Sequence, residues 1–240
     1  MTDIPNILSK ISHRPFELPV GEWRYYQEWN NALFLHWVVP FNILREHVPE
    51  NLQLDGFAGK YYVSLVAFTM QKIRPHYLPS LKFVSDFDEI NLRTYVESGN
   101  RKGVYFLSIE AGKHLSAFVA KQLSGLNYEK SVIVRSGKQY KSENAAKRFF
   151  LDAEFEVEEK LLDKSILDKW LTERYCLYLQ VKGETFRYDI HHKEWELRNV
   201  TIGNLQLEYR IGEYTLSSKH PDLFHYSDGV KVLAWGREKV

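Results

Sequence analysis

At 240 residues the chain is long for one domain, and with 44% hydrophobic and 26% charged residues it has the composition of an ordinary folded protein with a sizeable core. Lys and Arg number 32 against 31 Asp and Glu, a net charge of +1, so there is no basic field to hold a polyanion and nucleic acid is disfavoured as a partner. The single cysteine, Cys176, excludes an internal disulfide and a thiolate metal cluster, and in Tyr175-Cys176-Leu177-Tyr178 it reads as a small core residue.

Six Trp, 15 Tyr and 14 Phe make 15% of the chain aromatic. Such residues favour strands and line apolar interiors, which points to a β-rich fold with an inside to fill. Met1 to Pro19 holds no continuous apolar run of a secretory leader, and no stretch reaches the roughly 20 apolar residues of a membrane span. A cytoplasmic location with no membrane association is the expectation.

Residues 1–20 carry Pro5, Pro15 and Pro19 and read as an extended lead-in to a single domain over 21–240. Leu33 to Val39 is a dense apolar run interrupted by His36, a buried strand; Pro40 then opens a short helix over Phe41 to His47. Lys60 to Ile73 reads as a strand broken by Arg74-Pro75-His76. Ile90 to Val96 and Val104 to Ile109 form two more, joined through Ser98-Gly99-Asn100. Leu115 to Leu123 has helical spacing ahead of Gly125. Phe149 to Val157 alternates as a strand with one wet face, and Ser165 caps a helix running to Glu173. Tyr175 to Val181 and Thr185 to Ile190 flank Lys182-Gly183-Glu184 as a hairpin, and Phe224 to Ala234 closes the chain as a strand. The sum is an α+β protein of about eight strands or more, enough to curl or close a sheet.

Strand side chains alternate faces, so Glu89, Asn91, Arg93 and Tyr95 share one face, with Ile90, Leu92, Thr94 and Val96 on the other. Pattern alone reads the polar row as a solvent-facing side; the sharper reading turns it into a closed interior where it orients a ligand. Glu89 and Arg93 stand four residues apart, roughly 13 Å along a strand, so they cannot simply neutralise each other. His36 reads as a core histidine or, alternatively, a site residue. His191-His192 point opposite ways on a strand and have no metal-ligand spacing, so no metal is expected. Glu173 and Arg174 read as structural charges at a helix-to-strand junction. No Gly-x-Gly-x-x-Gly, phosphate loop or Gly-x-Ser-x-Gly elbow occurs, which leaves nucleotide cofactors and serine hydrolysis without support and no cofactor expected.

Several segments together carry a resemblance. They are Leu33-Phe34-Leu35-His36-Trp37, Glu89-Ile90-Asn91-Leu92-Arg93-Thr94-Tyr95, Gly103-Val104-Tyr105-Phe106, Leu171-Thr172-Glu173-Arg174-Tyr175, His191-His192, and Leu223 to Val230. From about residue 23 onward the chain resembles the YqjF-like proteins, a family of unknown function in the acetoacetate decarboxylase-like superfamily. The resemblance implies a mainly antiparallel, closed or cone-like β-barrel with short flanking helices and an internal pocket, often in a homo-oligomer. It moves the polar row from outer face to pocket wall.

The superfamily's decarboxylases use a lysine that forms a Schiff base with a keto acid, its pKa lowered by a neighbouring lysine. Here the matching stretch reads Gly125-Leu126-Asn127-Tyr128-Glu129, which puts Tyr128 at the nucleophile and Glu129 at its activator. Lys130 is the nearest substitute, and Glu129 beside it would hold its pKa up. Glu89 matches the superfamily's pocket glutamate, and Asn31 stands where a pocket arginine is found. The expectation is a binder of a small anionic or carbonyl-bearing molecule through His36, Glu89, Asn91, Arg93, Tyr95 and Tyr128. Glu89 and Tyr128 are the candidates for any acid–base chemistry, and a homo-oligomer is an expected assembly. The alternatives are a ligand-free structural module, its interior plugged by Phe106 or Trp235, and a Schiff-base decarboxylase or aldolase using Lys130.

Overall fold

The computed structural model describes residues 4–80, 85–112, 128–216 and 221–240. The chain opens with α1 (Ile4–Ser9) and β1 (Tyr25–Val38), followed by α2 (Phe41–Arg45) and the short β2 (Gln53–Leu54). Next come β3 (Tyr62–Pro75), β4 (Phe87–Ser98), β5 (Arg101–Ala111), β6 (Glu129–Lys130), β7 (Val132–Ser136), β8 (Gln139–Asn144) and β9 (Phe149–Lys160). Helix α3 (Ile166–Thr172) leads into β10 (Cys176–Val181), β11 (Glu184–His192), β12 (Leu197–Glu208), the small β13 (Arg210–Ile211) and β14 (Tyr214–Thr215), and β15 (Leu223–Lys239).

Seven strands close a barrel in the order β1-β3-β4-β5-β10-β11-β15, with β15 pairing back onto β1 from Tyr25↔Ala234 to His36↔Leu223. Beyond the barrel β15 also pairs with β12, and the sheet continues through β9, β8 and β7. The long β15 therefore belongs to both the barrel and this outer wing. Most pairings are antiparallel, but β5 pairs in parallel with β10 and with β6, so the sheet is mixed. The β5–β10 contact is very close. A Cβ at Gly103 would lie 2.3 Å from the Cys176 carbonyl oxygen, so only glycine lets the two backbones meet.

This architecture gives the strands two buried faces. Ala32, Phe34, Val66, Phe68, Tyr95, Leu177 and Val232 fill the barrel. Their neighbours Leu33, Leu35, Trp37, Leu65, Ile90 and Leu92 point outward and pack against Leu151, Phe155 and Leu207 of the wing. A strand covered on both sides has no wet face, and β4 has none along its length from Glu89 to Val96.

The lead-in is not wholly extended. Ile4 to Ser9 forms a helix, with Pro5 tolerated in its first turn, and it buries Ile7 beside Trp23, Tyr26 and Trp235 on the barrel's outside. Trp235 lies in that outer cluster and donates to the Gly21 carbonyl at 3.0 Å, so it does not plug the interior. Helix α3 carries the predicted cap as a full capping box: Ser165 accepts from the Asp168 N–H and Asp168 accepts from the Ser165 N–H. The helix read over Leu115 to Leu123 lies outside the described residues.

Candidate functional site

The β4 row projects into the barrel. Glu89, Asn91, Arg93 and Tyr95 are 3%, 3%, 7% and 0% exposed, which removes the solvent-facing reading. A cavity of about 50 Å³ lies against the first three. The rest of its wall includes Trp29 and Phe34 from β1, Val66 and Phe68 from β3, Phe106 from β5, Leu177 from β10, Trp195, and Tyr128.

Tyr128 donates its hydroxyl proton to Glu89 Oε2 at 2.8 Å, and Asn91 Nδ2 donates to Glu89 Oε1 at 3.2 Å. Burial pushes the Glu89 carboxyl up to about 7, against these two hydrogen bonds and the nearby Arg93 charge. Burial and the adjacent Glu89 carboxylate hold the Tyr128 hydroxyl well above the ordinary phenol range. Glu89 is thus poised near neutrality, the condition for proton exchange in this pH range.

Arg93 is buried, its guanidinium 5.7 Å from the Phe34 ring centre, and burial lowers its pKa. Among the described residues no carboxylate forms an ion pair with it, and its Nε–H has no hydrogen-bond partner. The Asn91 Oδ1 and the Trp29 Nε1–H are buried and unpartnered as well. Three unsatisfied polar atoms, two donors and one acceptor, therefore belong to residues that line one cavity.

His36 and Tyr95 do not line this cavity; they form an adjoining polar layer of the barrel. Tyr95 Oη lies 2.5 Å from Ser64 Oγ and 3.0 Å from the Leu171 carbonyl oxygen. Ser64 Oγ is 2.6 Å from His36 Nδ1, His36 Nε2 is 3.1 Å from His225 Nδ1, and His225 Nε2 is 3.0 Å from Asp168 Oδ1. Burial raises the Asp168 carboxyl, but hydrogen bonds from His225 and Ser165 outweigh it and hold the group below its usual range. An ionised Asp168 only accepts, so His225 donates from Nε2 and must accept at Nδ1. His36 then donates from Nε2 and accepts at Nδ1 from Ser64, and the single Tyr95 hydroxyl proton is shared between Ser64 Oγ and the Leu171 carbonyl oxygen. Burial holds both imidazoles below their ordinary pKa, His36 well below, so the chain runs through neutral rings.

The remaining sequence candidates have structural partners. Arg174 forms a buried ion pair with Asp55 at 2.6 Å, not with Glu173, which accepts from the Tyr175 hydroxyl at 2.5 Å and the Trp195 N–H at 2.9 Å. His191 Nε2 lies 2.8 Å from the Ile7 carbonyl oxygen, tying α1 to β11, and His192 Nδ1 lies 2.7 Å from that of Lys193. Asn31 occupies a bulge at φ 53°, where its Oδ1 accepts from Tyr226 at 3.1 Å away from the cavity. Lys130 is exposed on β6 and does not line the cavity. Among the described residues no three His, Cys, Asp or Glu side chains are placed to share a metal ion. Sequence reading missed Trp29, Trp195, Ser64 and Asp168. Of these only Asp168 carried a local signal, three residues after the Ser165 cap, and it pointed to helix capping.

The DUF2071 family, described as an uncharacterized conserved protein, matches residues 26–231, and the chain belongs to it. It is 33% identical over 247 residues to the uncharacterized protein YqjF of Bacillus subtilis (strain 168), covering 96% of this chain and 98% of that one. Among solved structures it resembles an acetoacetate decarboxylase-like enzyme from Sphingomonas wittichii RW1, with TM-score 0.61, 12% identity, and 94% and 97% of the two chains covered. An acetoacetate decarboxylase gives TM-score 0.60 at 14% identity, with 100% and 98% covered. The enduracididine biosynthesis enzyme MppR complexed with pyruvate gives TM-score 0.59 at 10% identity, with 92% and 91% covered. The closed barrel with its outer wing is thus the acetoacetate decarboxylase-like fold.

Proposed function

We propose that this protein is a cytoplasmic binder of a small carboxylate, held inside the barrel by Arg93 and exchanging protons with Glu89 without a covalent lysine intermediate. The observation that carries the reading is Arg93: a buried guanidinium beside a cavity, with no ion pair and an unsatisfied Nε–H among the described residues. A buried charge with no ion pair is costly even with Glu89 nearby, and an anion in the adjoining space offsets that cost. Tyr128 and Asn91 orient Glu89, and Tyr128 takes the place of the lysine around which the superfamily's decarboxylation is built. The exposure of Lys130 speaks against its use as a Schiff-base residue.

Calorimetric titration of the protein with acetate, propionate and acetoacetate tests this. Saturable binding to the native protein, weakened roughly 10- to 100-fold in Arg93→Met, is the expected result, since a hydrogen bond to a charged group contributes about 1.5–3 kcal/mol. Absence of binding by all three acids contradicts it. One observation favours a second reading, a ligand-free structural barrel: the cavity is small and Phe106 occupies part of its wall. That reading predicts no thermal shift with any short acid.

A further inference from the structure

We infer that the ligand of this cavity is a short 2-hydroxy carboxylate, its carboxylate facing Arg93 and Trp29 and its hydroxyl proton donated to Asn91. The inference rests on the proposed binding function and narrows its ligand class. It follows from the count of unsatisfied polar atoms on residues that line the cavity. Among the described residues, Trp29 Nε1–H and Arg93 Nε–H are donors with nothing to donate to, and Asn91 Oδ1 is an acceptor with nothing to accept. A carboxylate has two oxygens, each able to accept, one for each donor, and its charge is complementary to Arg93. It leaves Asn91 Oδ1 unmet. A 2-oxo acid brings only a further acceptor there, whereas a 2-hydroxy acid brings the one O–H that the one free acceptor needs.

The orientation of the Asn91 amide decides the sign of this preference, and Glu89 fixes that orientation. Glu89 takes a proton from Tyr128 on Oε2 and from Asn91 on Oε1, so an ionised Glu89 is satisfied only with Nδ2 turned toward it and Oδ1 turned away. The same count disfavours a 2-amino acid. Its ammonium carries three N–H groups where a single acceptor is free, and it would sit in the company of the buried Arg93 charge. A cavity of about 50 Å³ favours a short skeleton.

L-Lactate, pyruvate and L-alanine share one carbon skeleton and differ only at the second carbon. Their dissociation constants are measured at pH 8, where Glu89 is mostly ionised, for the native protein and for Asn91→Leu. The expected result is lactate binding about tenfold tighter than pyruvate, with the preference abolished in Asn91→Leu, because one neutral hydrogen bond is worth about a tenfold change in affinity. Pyruvate binding as tightly as lactate or tighter overturns the inference and leaves the carboxylate site standing. Alanine binding tightest overturns it in favour of an ammonium ligand. A lactate preference that persists in Asn91→Leu overturns the role of Asn91. If none of the three binds, the inference falls together with the proposed function. Should Asn91→Leu fail to fold, the native lactate-to-pyruvate ratio decides the matter alone.

Discussion

The Tyr128 hydroxyl, just ahead of β6, sits 2.8 Å from Glu89 Oε2 and donates to it, linking that segment to the buried carboxyl on β4. The Tyr128 hydrogen bond steadies the carboxylate form of an acid that burial would otherwise keep protonated.

Glu89 makes stability fall with pH. Its folded pKa of about 7 lies above the ordinary 4.5, so its contribution is fully present below about pH 4.5 and is lost as pH rises through about 7. The full loss is on the order of 3 kcal/mol. Glu89→Gln removes the titration. Urea denaturation from pH 5 to 8 should show native stability declining relative to the variant across that window, and parallel curves would contradict it.

Tyr128→Phe deletes the donor that favours the ionised carboxyl. The Glu89 carboxyl should then titrate at a higher pH, by about one unit for a loss of about 1–2 kcal/mol. Carbon-13 NMR of the side-chain carboxyl across pH reads this directly; an unchanged or lower midpoint is the contrary result.

The Asp168–His225–His36–Ser64 chain fixes tautomers. Both His225 and His36 should be neutral with the proton on Nε2 at pH 8, visible as the characteristic pair of nitrogen-15 shifts for each ring. A Nδ1–H form on either ring would break the donor order derived from Asp168.

Gly103→Ala tests the parallel seam of the barrel. With backbone 2.3 Å from the new methyl, β5 and β10 have to separate, and the cost should reach about 3 kcal/mol or more in denaturant unfolding. A loss under about 1 kcal/mol would mean that the seam is loose.

The β4 row shows where sequence suffices. Alternation alone put Glu89, Asn91, Arg93 and Tyr95 on one face, and the resemblance placed that face inside a barrel. The Ser165 cap and the Gly99 and Gly183 turns were legible because local chemistry specifies them. β12 was not, because bulges between Arg198 and Val200 and between Ile202 and Asn204 break its two-residue period. The prolines of the lead-in masked α1, whose stability comes from burying Ile7 against distant strands. The cavity's other wall could not be read at all. Trp29 stands far from β4 in the chain, Trp195 lies between β11 and β12, and only barrel closure brings them to Arg93.

The central claim is that Arg93 and Trp29 await a carboxylate. Nitrogen-15 NMR of the Arg93 Nε–H and Trp29 Nε1–H during titration with L-lactate tests it most directly. The account predicts that both signals move together, saturably, to positions typical of hydrogen-bonded N–H groups, while Trp235 Nε1–H, already bonded to Gly21, stays in place. Arg93 and Trp29 signals that remain unmoved at saturating acid would contradict it.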